Sequence, residues 1–201
     1  MRWDFAVLGA TGMQGRIVSK DLLNNGYSVL MCGRDKSRID QLLKKYKNTD
    51  FKYVDLRDIK NTSDILSKSG VDVVVNCAEG DWNLNVLKAC VKANTHSLDL
   101  GSEIPMTINQ LGMHDSLKER DLIHITGCGS VPGIGNVMLR YAAPDFDSIE
   151  TVEVGFNWNS NIKKFVVPFS IQSIIEEFTE PATNIIIGKY KIHNSMPKII
   201  N

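Results

Sequence analysis

Three glycines recur at every third position in Gly9-Ala10-Thr11-Gly12-Met13-Gln14-Gly15. The short apolar run Phe5–Leu8 precedes them, and a stretch of helical period from about Met13 to Asn25 follows. At a strand–turn–helix junction each glycine has a separate use. Gly9 can make the tight turn, Gly12 lets backbone approach a pyrophosphate, and Gly15 lets helix and strand pack closely. The helix N-terminus then offers free N–H groups and the positive end of its dipole to the phosphates. Thr11, Met13 and Gln14 join the three glycines as candidate cofactor contacts. The spacing is G-x-x-G-x-x-G rather than G-x-G-x-x-G, and a glycine trio alone also suits a plain structural turn. Its place after the first strand, near the N-terminus, decides for a dinucleotide.

The end of the second apolar run bears on which dinucleotide. An acid there would bind the ribose hydroxyls of NAD. The chain instead reads Cys32-Gly33-Arg34-Asp35-Lys36-Ser37-Arg38. Arg34 falls where a guanidinium can clamp a 2′-phosphate through two parallel hydrogen bonds, and Lys36 or Arg38 can add charge. The expected cofactor is therefore NADP. The same residues also suit a solvated loop with Asp35 as a helix cap, and Asp35 could serve a ribose, so NAD stays open. Asp55, in Val54-Asp55-Leu56, is a candidate for the adenine amino group or a plain turn aspartate.

Further along, Asn76-Cys77-Ala78-Glu79-Gly80 puts small residues at a strand end, and Cys77 and Ala78 leave room for the cofactor to cross. Gly127-Cys128-Gly129-Ser130-Val131-Pro132-Gly133-Ile134-Gly135-Asn136 follows the sixth apolar run. So many glycines suggest backbone brought close to a ligand, or a linker between domains, and clefts at such junctions bind substrates. Asp99 ends the fifth run, where catalytic groups collect in open α/β sheets, but it can equally cap a loop. His96 and His124 flank or lie in buried strands and read as structural, and His114 and His193 are isolated. No Tyr-x-x-x-Lys occurs, which disfavours the short-chain dehydrogenase mechanism, and no cluster has metal-ligand spacing.

The elements that must position these residues are legible from periodicity. The apolar runs Phe5–Leu8, Tyr27–Met31, Phe51–Val54, Val71–Val75, Ser97–Leu100 and Leu122–Ile125 alternate with segments of helical period. Those after the first helix are Arg38–Tyr46, Thr62–Lys68, Asn83–Ala93 and Thr107–Arg120. Strands so spaced imply βαβ units and a parallel sheet covered on both faces. The fold expected is α/β, a doubly wound parallel Rossmann sheet over residues 1–147, followed over 148–201 by the beginning of a smaller α+β domain. In the second part, Thr151–Trp158 alternates like a strand with one wet face, and Ser170–Glu180 has helical spacing ended by Pro181. Ile185–Ile187 and Tyr190–Ile192 flank Gly188-Lys189 like a hairpin.

Composition narrows the function classes. In 201 residues, hydrophobic residues make up 43% and charged residues 23%, ordinary for a globular protein. Lys+Arg and Asp+Glu both total 23, so the balance gives no electrostatic reason to expect nucleic acid or an anionic membrane as partner. The four cysteines (Cys32, Cys77, Cys90, Cys128) include no C-x-x-C pair and read mostly as core thiols. The N-terminus resembles no signal peptide and no apolar run approaches the ~20 residues of a membrane span, so a cytoplasmic location is expected.

The opening V-L-G-A-T-G-M-Q-G, the run from Asn83 through L-K-A-C-V-K-A-N-T-H-S-L-D-L-G-S-E, and G-S-V-P-G-I-G-N together resemble the saccharopine dehydrogenase family. So does I-I-E-E-F-T-E-P-A with the later I-G-K. The resemblance implies an NAD(P)-dependent oxidoreductase that transfers hydride at a C–N bond of an amino-acid derivative, an imine or secondary amine. It also implies that Asp99 and the Gly129–Asn136 loop, with Gly129, Pro132, Gly133 and Asn136, line a pocket for a small amino-acid substrate. Cys128 is similar in placement to the nucleophile of semialdehyde dehydrogenases, which share the G-A-T-G opening, but lacks the Asn-rich surroundings of that cysteine. Members of the family have a much longer second domain. The apolar face of Thr151–Trp158, with Val166, Val167 and Phe169, therefore leads to an expectation of homo-oligomer formation through the C-terminal segment, or of a second polypeptide that completes the domain.

Overall fold

The computed structural model describes residues 2–154, 163, 175, 182–186 and 189–193. The chain divides into two compact units, residues 1–154 and 155–201.

In the first unit, strands β1 (Trp3–Leu8), β2 (Val29–Gly33), β3 (Thr49–Tyr53), β4 (Val71–Asn76), β5 (His96–Asp99) and β6 (His124–Ile125) form one sheet in the order β3-β2-β1-β4-β5-β6. Every pairing in it is parallel. This is the doubly wound order whose reversal point lies between β1 and β4. The helices are α1 (Met13–Asn24), α2 (Asp40–Lys45), α3 (Ile59–Ser69), α4 (Asn83–Ala93), α5 (Ile104–Leu111), α6 (His114–Lys118) and α7 (Ile134–Ala142).

Alternate residues of each central strand feed two separate cores, which is why the strands read as unbroken apolar runs rather than alternating ones. Ala6 and Leu8, Leu30 and Cys32, and Val74 face a cluster that includes Leu66 of α3 and Val86 and Cys90 of α4. Val7, Val29, Met31 and Val75 face the other side, with Leu23 of α1, Ile39, and Leu42 and Leu43 of α2. These two layers cover both faces of the central strands and so fix where those strands end, while Tyr53 on edge strand β3 and Ile125 on edge strand β6 stay exposed.

The structure departs from the sequence expectation at several boundaries. The single helix expected over Thr107–Arg120 is two, because the first stops at Gly112, whose N–H bonds Ile108 O at 3.1 Å. It also starts earlier, with Pro105 in its first turn, where a missing N–H costs nothing. Helix α3 begins at Ile59 rather than Thr62, because Asp58 caps it by accepting from Asn61 N at 2.9 Å. The segment Arg38–Tyr46 divides into a 3₁₀ turn, Lys36–Ile39, and the short α2. Strand β2 starts at Val29, two residues after Tyr27.

In the second unit, β7 (Ala182–Ile186) and β8 (Lys189–His193) pair antiparallel with Ile186 opposite Lys189. The hairpin is there, with Lys189 in the strand rather than the turn. Thr151–Val154 belongs to no strand or helix, and the rest of the alternating segment Thr151–Trp158 lies outside the described residues. So do Val166, Val167 and Phe169, and Ser170–Glu180 apart from Ile175. No helix among the described residues is long and apolar enough to cross a membrane.

Candidate functional site

All six strands of the parallel sheet end on one edge, so the loops after them share one rim. The first of these is the glycine turn. Gly9 has φ +74°, a left-handed conformation that suits glycine, and a Cβ on it would stand 2.7 Å from Ala78 N. Gly15 is packed even more tightly, because a Cβ there would lie 2.2 Å from Gly9 O and 2.7 Å from Ala10 Cα. These two glycines are demanded by the fold of the chain itself. Gly12 is different. It has φ −83°, and a Cβ would meet only Gly9 O, at 3.2 Å. Beyond that carbonyl the space beside Gly12 is open. Gly12 is also the residue before α1, no side chain caps that helix, and Met13 and Gln14 in its first turn are exposed. An open space left by glycine beside an uncapped helix N-terminus fits a pyrophosphate. Thr11 lies across Gly33, where a Cβ would be 2.7 Å from its side chain, and so fills the gap between the first turn and the end of β2.

Arg34 and Lys36 are exposed just beyond β2. Asp35 is the cap of the 3₁₀ turn, accepting from Ser37 N at 3.1 Å and from Ser37 Oγ at 2.6 Å. Those Ser37 hydrogen bonds hold its carboxyl below the ordinary carboxylate range. Arg38 lies 3.8 Å from the same carboxylate. Two residues beyond β3, Asp55 is gripped by Arg57, whose Nε donates to both oxygens at 2.9 and 3.0 Å, whose Nη2 donates to Oδ2, and whose backbone N–H donates to Oδ1 at 3.1 Å. These bonds from Arg57, with added attraction from Arg34, pull the Asp55 carboxyl down to about 2.

Beyond β4 the polar groups turn inward. Asn76 is buried at the strand end, donating to Asn83 Oδ1 at 2.7 Å and accepting from Ala78 N at 3.2 Å. Asn83 in turn donates to Gly101 O at 3.2 Å, so the loops after β4 and β5 are tied together. Cys77 packs half-buried against the core, and burial pushes its thiol up to about 12.

Asp99 is 1% exposed. Its Oδ1 accepts from Gly101 N at 2.8 Å, Gly127 N at 3.0 Å and Thr126 Oγ1 at 3.3 Å, and its Oδ2 from Gln110 Nε2 at 2.6 Å. His124 Nε2 stands 3.3 Å from Oδ2, and its Nδ1 is 2.8 Å from Ser97 Oγ. Burial by itself would raise the carboxyl, but the hydrogen bonds from His124, Gln110, Gly127 and Gly101 outweigh it and hold Asp99 at about 2. It stays ionised and points into the protein. Cys128, next to this cluster, has its N–H on Asp99 O at 2.8 Å. Its thiol is exposed, yet partial desolvation and then the Asp99 charge raise it above its ordinary value, which works against a thiolate.

The Gly129–Asn136 loop is folded on itself. A Cβ on Gly133, at φ +135°, would fall 2.0 Å from Gly129 O, and one on Gly129 would fall 2.4 Å from Leu100 O. Pro132 rests against Gly101, where a Cβ would be 2.6 Å from its ring. Asn136 accepts from Gly133 N at 3.0 Å and so holds the start of α7. These glycines are accounted for by loop packing, with no ligand needed to explain them.

Sequence reading missed Asn76, Asn83, Gln110, Thr126 and Arg57. A signal existed for Asn76, a polar residue closing the run Val73-Val74-Val75. Gln110 and Thr126 reach Asp99 from 11 and 27 residues away, respectively, and no local pattern announces such partners.

Residues 5–125 match the family model described as the saccharopine dehydrogenase NADP binding domain. A carboxyaminopropylagmatine dehydrogenase of Synechocystis sp. is 25% identical over 185 residues, covering 87% of this chain and 46% of that protein. A chloroplastic divinyl chlorophyllide a 8-vinyl-reductase of Arabidopsis thaliana is 34% identical over 83 residues, 35% of this chain and 19% of that protein. The chain thus spans less than half the length of these curated relatives. Among solved structures, apo saccharopine dehydrogenase (L-Glu forming) from Saccharomyces cerevisiae superposes with a TM-score of 0.61 at 17% identity, covering 71% of this chain and 31% of that one. The leucoanthocyanidin reductase–NADPH complex from Vitis vinifera gives 0.50 at 19% identity, covering 63% and 49%. At such identities the two structures speak for the fold. With more than half of its residues under the family model, the chain belongs to the saccharopine dehydrogenase NADP-binding domain family.

Proposed function

We propose that this chain binds NADP(H) and forms the cofactor-holding part of an oxidoreductase of saccharopine dehydrogenase type, working at a C–N bond of an amino-acid derivative. The observation that carries the cofactor reading is the open space at Gly12 beside the uncapped α1, with exposed Arg34 one strand away. Gly9, Thr11, Gly12, Met13, Gln14 and Gly15 would cradle the pyrophosphate, and Arg34 with Lys36 would meet a 2′-phosphate. Bound there, the nicotinamide supplies hydride transfer. The chain's own part is to orient the dinucleotide, with Asp99 acting as a positioning residue that fixes the loops after β5 and β6. The reaction class rests on family membership and on the Synechocystis relative, itself a dehydrogenase.

Calorimetry with NADPH and NADH tests the cofactor. Arg34→Ala should weaken NADPH by about 1.5–3 kcal/mol, the scale of a charge-assisted pair, and leave NADH nearly unchanged. Equal losses, or an initial preference for NADH, would sink the assignment. Following reduced-cofactor absorbance with opine-type amino acids and NADP tests the reaction.

A second reading is a dinucleotide-binding module without catalysis. What favours it is that Asp99 is sealed in the protein and that partial desolvation and the Asp99 charge raise the Cys128 thiol above its ordinary value. Tight NADPH binding with no turnover would support it. Residues 148–201 would in either case begin a smaller α+β domain. Val152 and Val154 are 46% and 53% exposed there, an apolar surface that suits self-association of two copies through the C-terminal segment. Light scattering of the whole chain against a version ending near Asp147 tests this, and two monomers at tens of micromolar, roughly where weak interfaces register, would refute it.

A further inference from the structure

Arg57 belongs to no motif, yet it sits where the nucleotide's identity is decided. Gly33 and Tyr53 are register partners at the ends of β2 and β3, and Val54 N donates to Gly33 O at 3.1 Å. Arg34 follows Gly33 directly and Asp55 lies two residues beyond Tyr53, close enough for the Arg34 charge to act on its carboxyl. A 2′-phosphate received by Arg34 would therefore lie close to the Asp55 carboxylate, and the two anions would repel. The carboxylate is not bare. The side chain and backbone N–H of Arg57 enclose it, while the Arg57 side chain itself remains 69% exposed. The other acids nearby are engaged too: Asp35 with Ser37 and Arg38, Asp50 with Lys52 at 3.8 Å, and Asp58 as the cap of α3.

We propose that Arg57 is a specificity-determining residue for NADP over NAD that acts without touching the nucleotide, by enclosing Asp55 and cancelling its charge beside Arg34. With Arg57 removed, the freed carboxylate would both repel the phosphate and draw the Arg34 guanidinium to itself. The proposal rests on the reading that Arg34 receives a 2′-phosphate. It makes the Asp55–Arg57 pair a neutral wall of the site rather than a surface salt bridge of small worth.

Calorimetric titration of NADPH and NADH into the full chain, and into Arg57→Ala, Arg57→Gln and Arg57→Ala/Asp55→Asn, tests it. The quantity read is the ratio of the two affinities, so any common loss through adenine or through folding cancels. Arg57→Ala and Arg57→Gln should lower the preference for NADPH about five- to tenfold, the size expected for an uncovered charge several ångströms from a phosphate in a high-dielectric setting. The change should shrink as salt is raised. Adding Asp55→Asn should restore the ratio. An unchanged ratio in both single variants would overturn the proposal while leaving the Arg34 reading intact. A ratio that falls but is not restored by Asp55→Asn would also overturn it, because Arg57 would then be a direct phosphate ligand. A wild-type chain that prefers NADH would overturn the Arg34 reading, and this proposal with it.

Discussion

Around β1–β3 the rim of the sheet presents an uncapped helix, an open space beside Gly12 and the exposed cations Arg34 and Lys36. Around β4–β6, on the same rim, Asn76, Asn83, Asp99, Gln110 and Thr126 bond one another and the loop backbones. The glycines follow the same division. Gly12 leaves space that the chain does not fill, whereas Gly129 and Gly133 leave space that neighbouring loop backbone occupies. The contrast teaches that a glycine-rich loop at a strand end is not by itself a ligand site. What distinguishes the two halves is whether the polar groups and the vacated volume are already used by the protein.

The largest effects should come from forcing the two uses of glycine apart. Gly15→Val puts carbon where Gly9 O and Ala10 Cα stand 2.2 and 2.7 Å from a Cβ. It should cost about 3 kcal/mol or more in urea unfolding, at the upper end for overpacking. Gly12→Ala meets only Gly9 O at 3.2 Å and should cost less than about 1 kcal/mol of stability. Its calorimetric affinity for NADPH should nonetheless fall at least about tenfold, because the methyl group occupies the phosphate's approach. If Gly12→Ala unfolds the chain as badly as Gly15→Val, the division between the two glycines is wrong.

On the other half of the rim the expected effect is on stability and on its pH dependence. Asp99 is held at about 2 against an ordinary 3.8, which at about 1.4 kcal/mol per unit amounts to roughly 2 kcal/mol. The folded value is the lower one, so this contribution is complete above about pH 4 and is lost as the pH falls from there through about 2. Asp99→Asn should cost about 2–3 kcal/mol at neutral pH, because an amide NH₂ must face N–H groups where a carboxylate oxygen accepted them. Its acid unfolding limb should also be flatter than that of the wild type. A variant that keeps wild-type stability at pH 7 would show that the cluster does not hold these loops.

This contrast also explains what the sequence could tell. The sheet was legible because Val7, Val29, Met31 and Val75 on one face and Ala6, Leu30 and Val74 on the other leave continuous apolar runs, which only a strand buried on both sides requires. The strand–turn–helix at the three glycines was legible because its residue types lie within seven residues of chain, directly after one apolar run. The Asp99 cluster was not, because its members come from β5, α5, β6 and the loop after β6. Asp99 read alone looks the same whether it faces a substrate or a ring of N–H donors. The packing at Gly129 and Gly133 was equally hidden, because a side chain at 129 is excluded by Leu100 O from the loop after β5 and one at 133 by the backbone of Gly129.

The smallest expected effect is at Cys128, and it separates a reactive thiol from a bystander on the packed half of the rim. Its side chain is exposed, but partial desolvation and the Asp99 charge both raise the thiol above its ordinary value. Its only side-chain partner among the described residues is a long contact to Ile125 O at 3.9 Å. A thiol kept protonated in this way is a poor nucleophile near neutral pH. Cys128→Ser should therefore change stability by no more than about 0.5 kcal/mol, as for surface substitutions with no special partner. NADPH affinity should not move. Alkylation of the wild-type thiol by iodoacetamide should be slower at pH 7.5 than that of an unstructured cysteine peptide, and should speed up as the pH is raised. Asp99→Asn, which removes the raising charge, should bring the alkylation profile to lower pH if the variant remains folded. Fast alkylation of the wild type at neutral pH would mean that Cys128 is activated by its surroundings and belongs among the reactive groups of the rim.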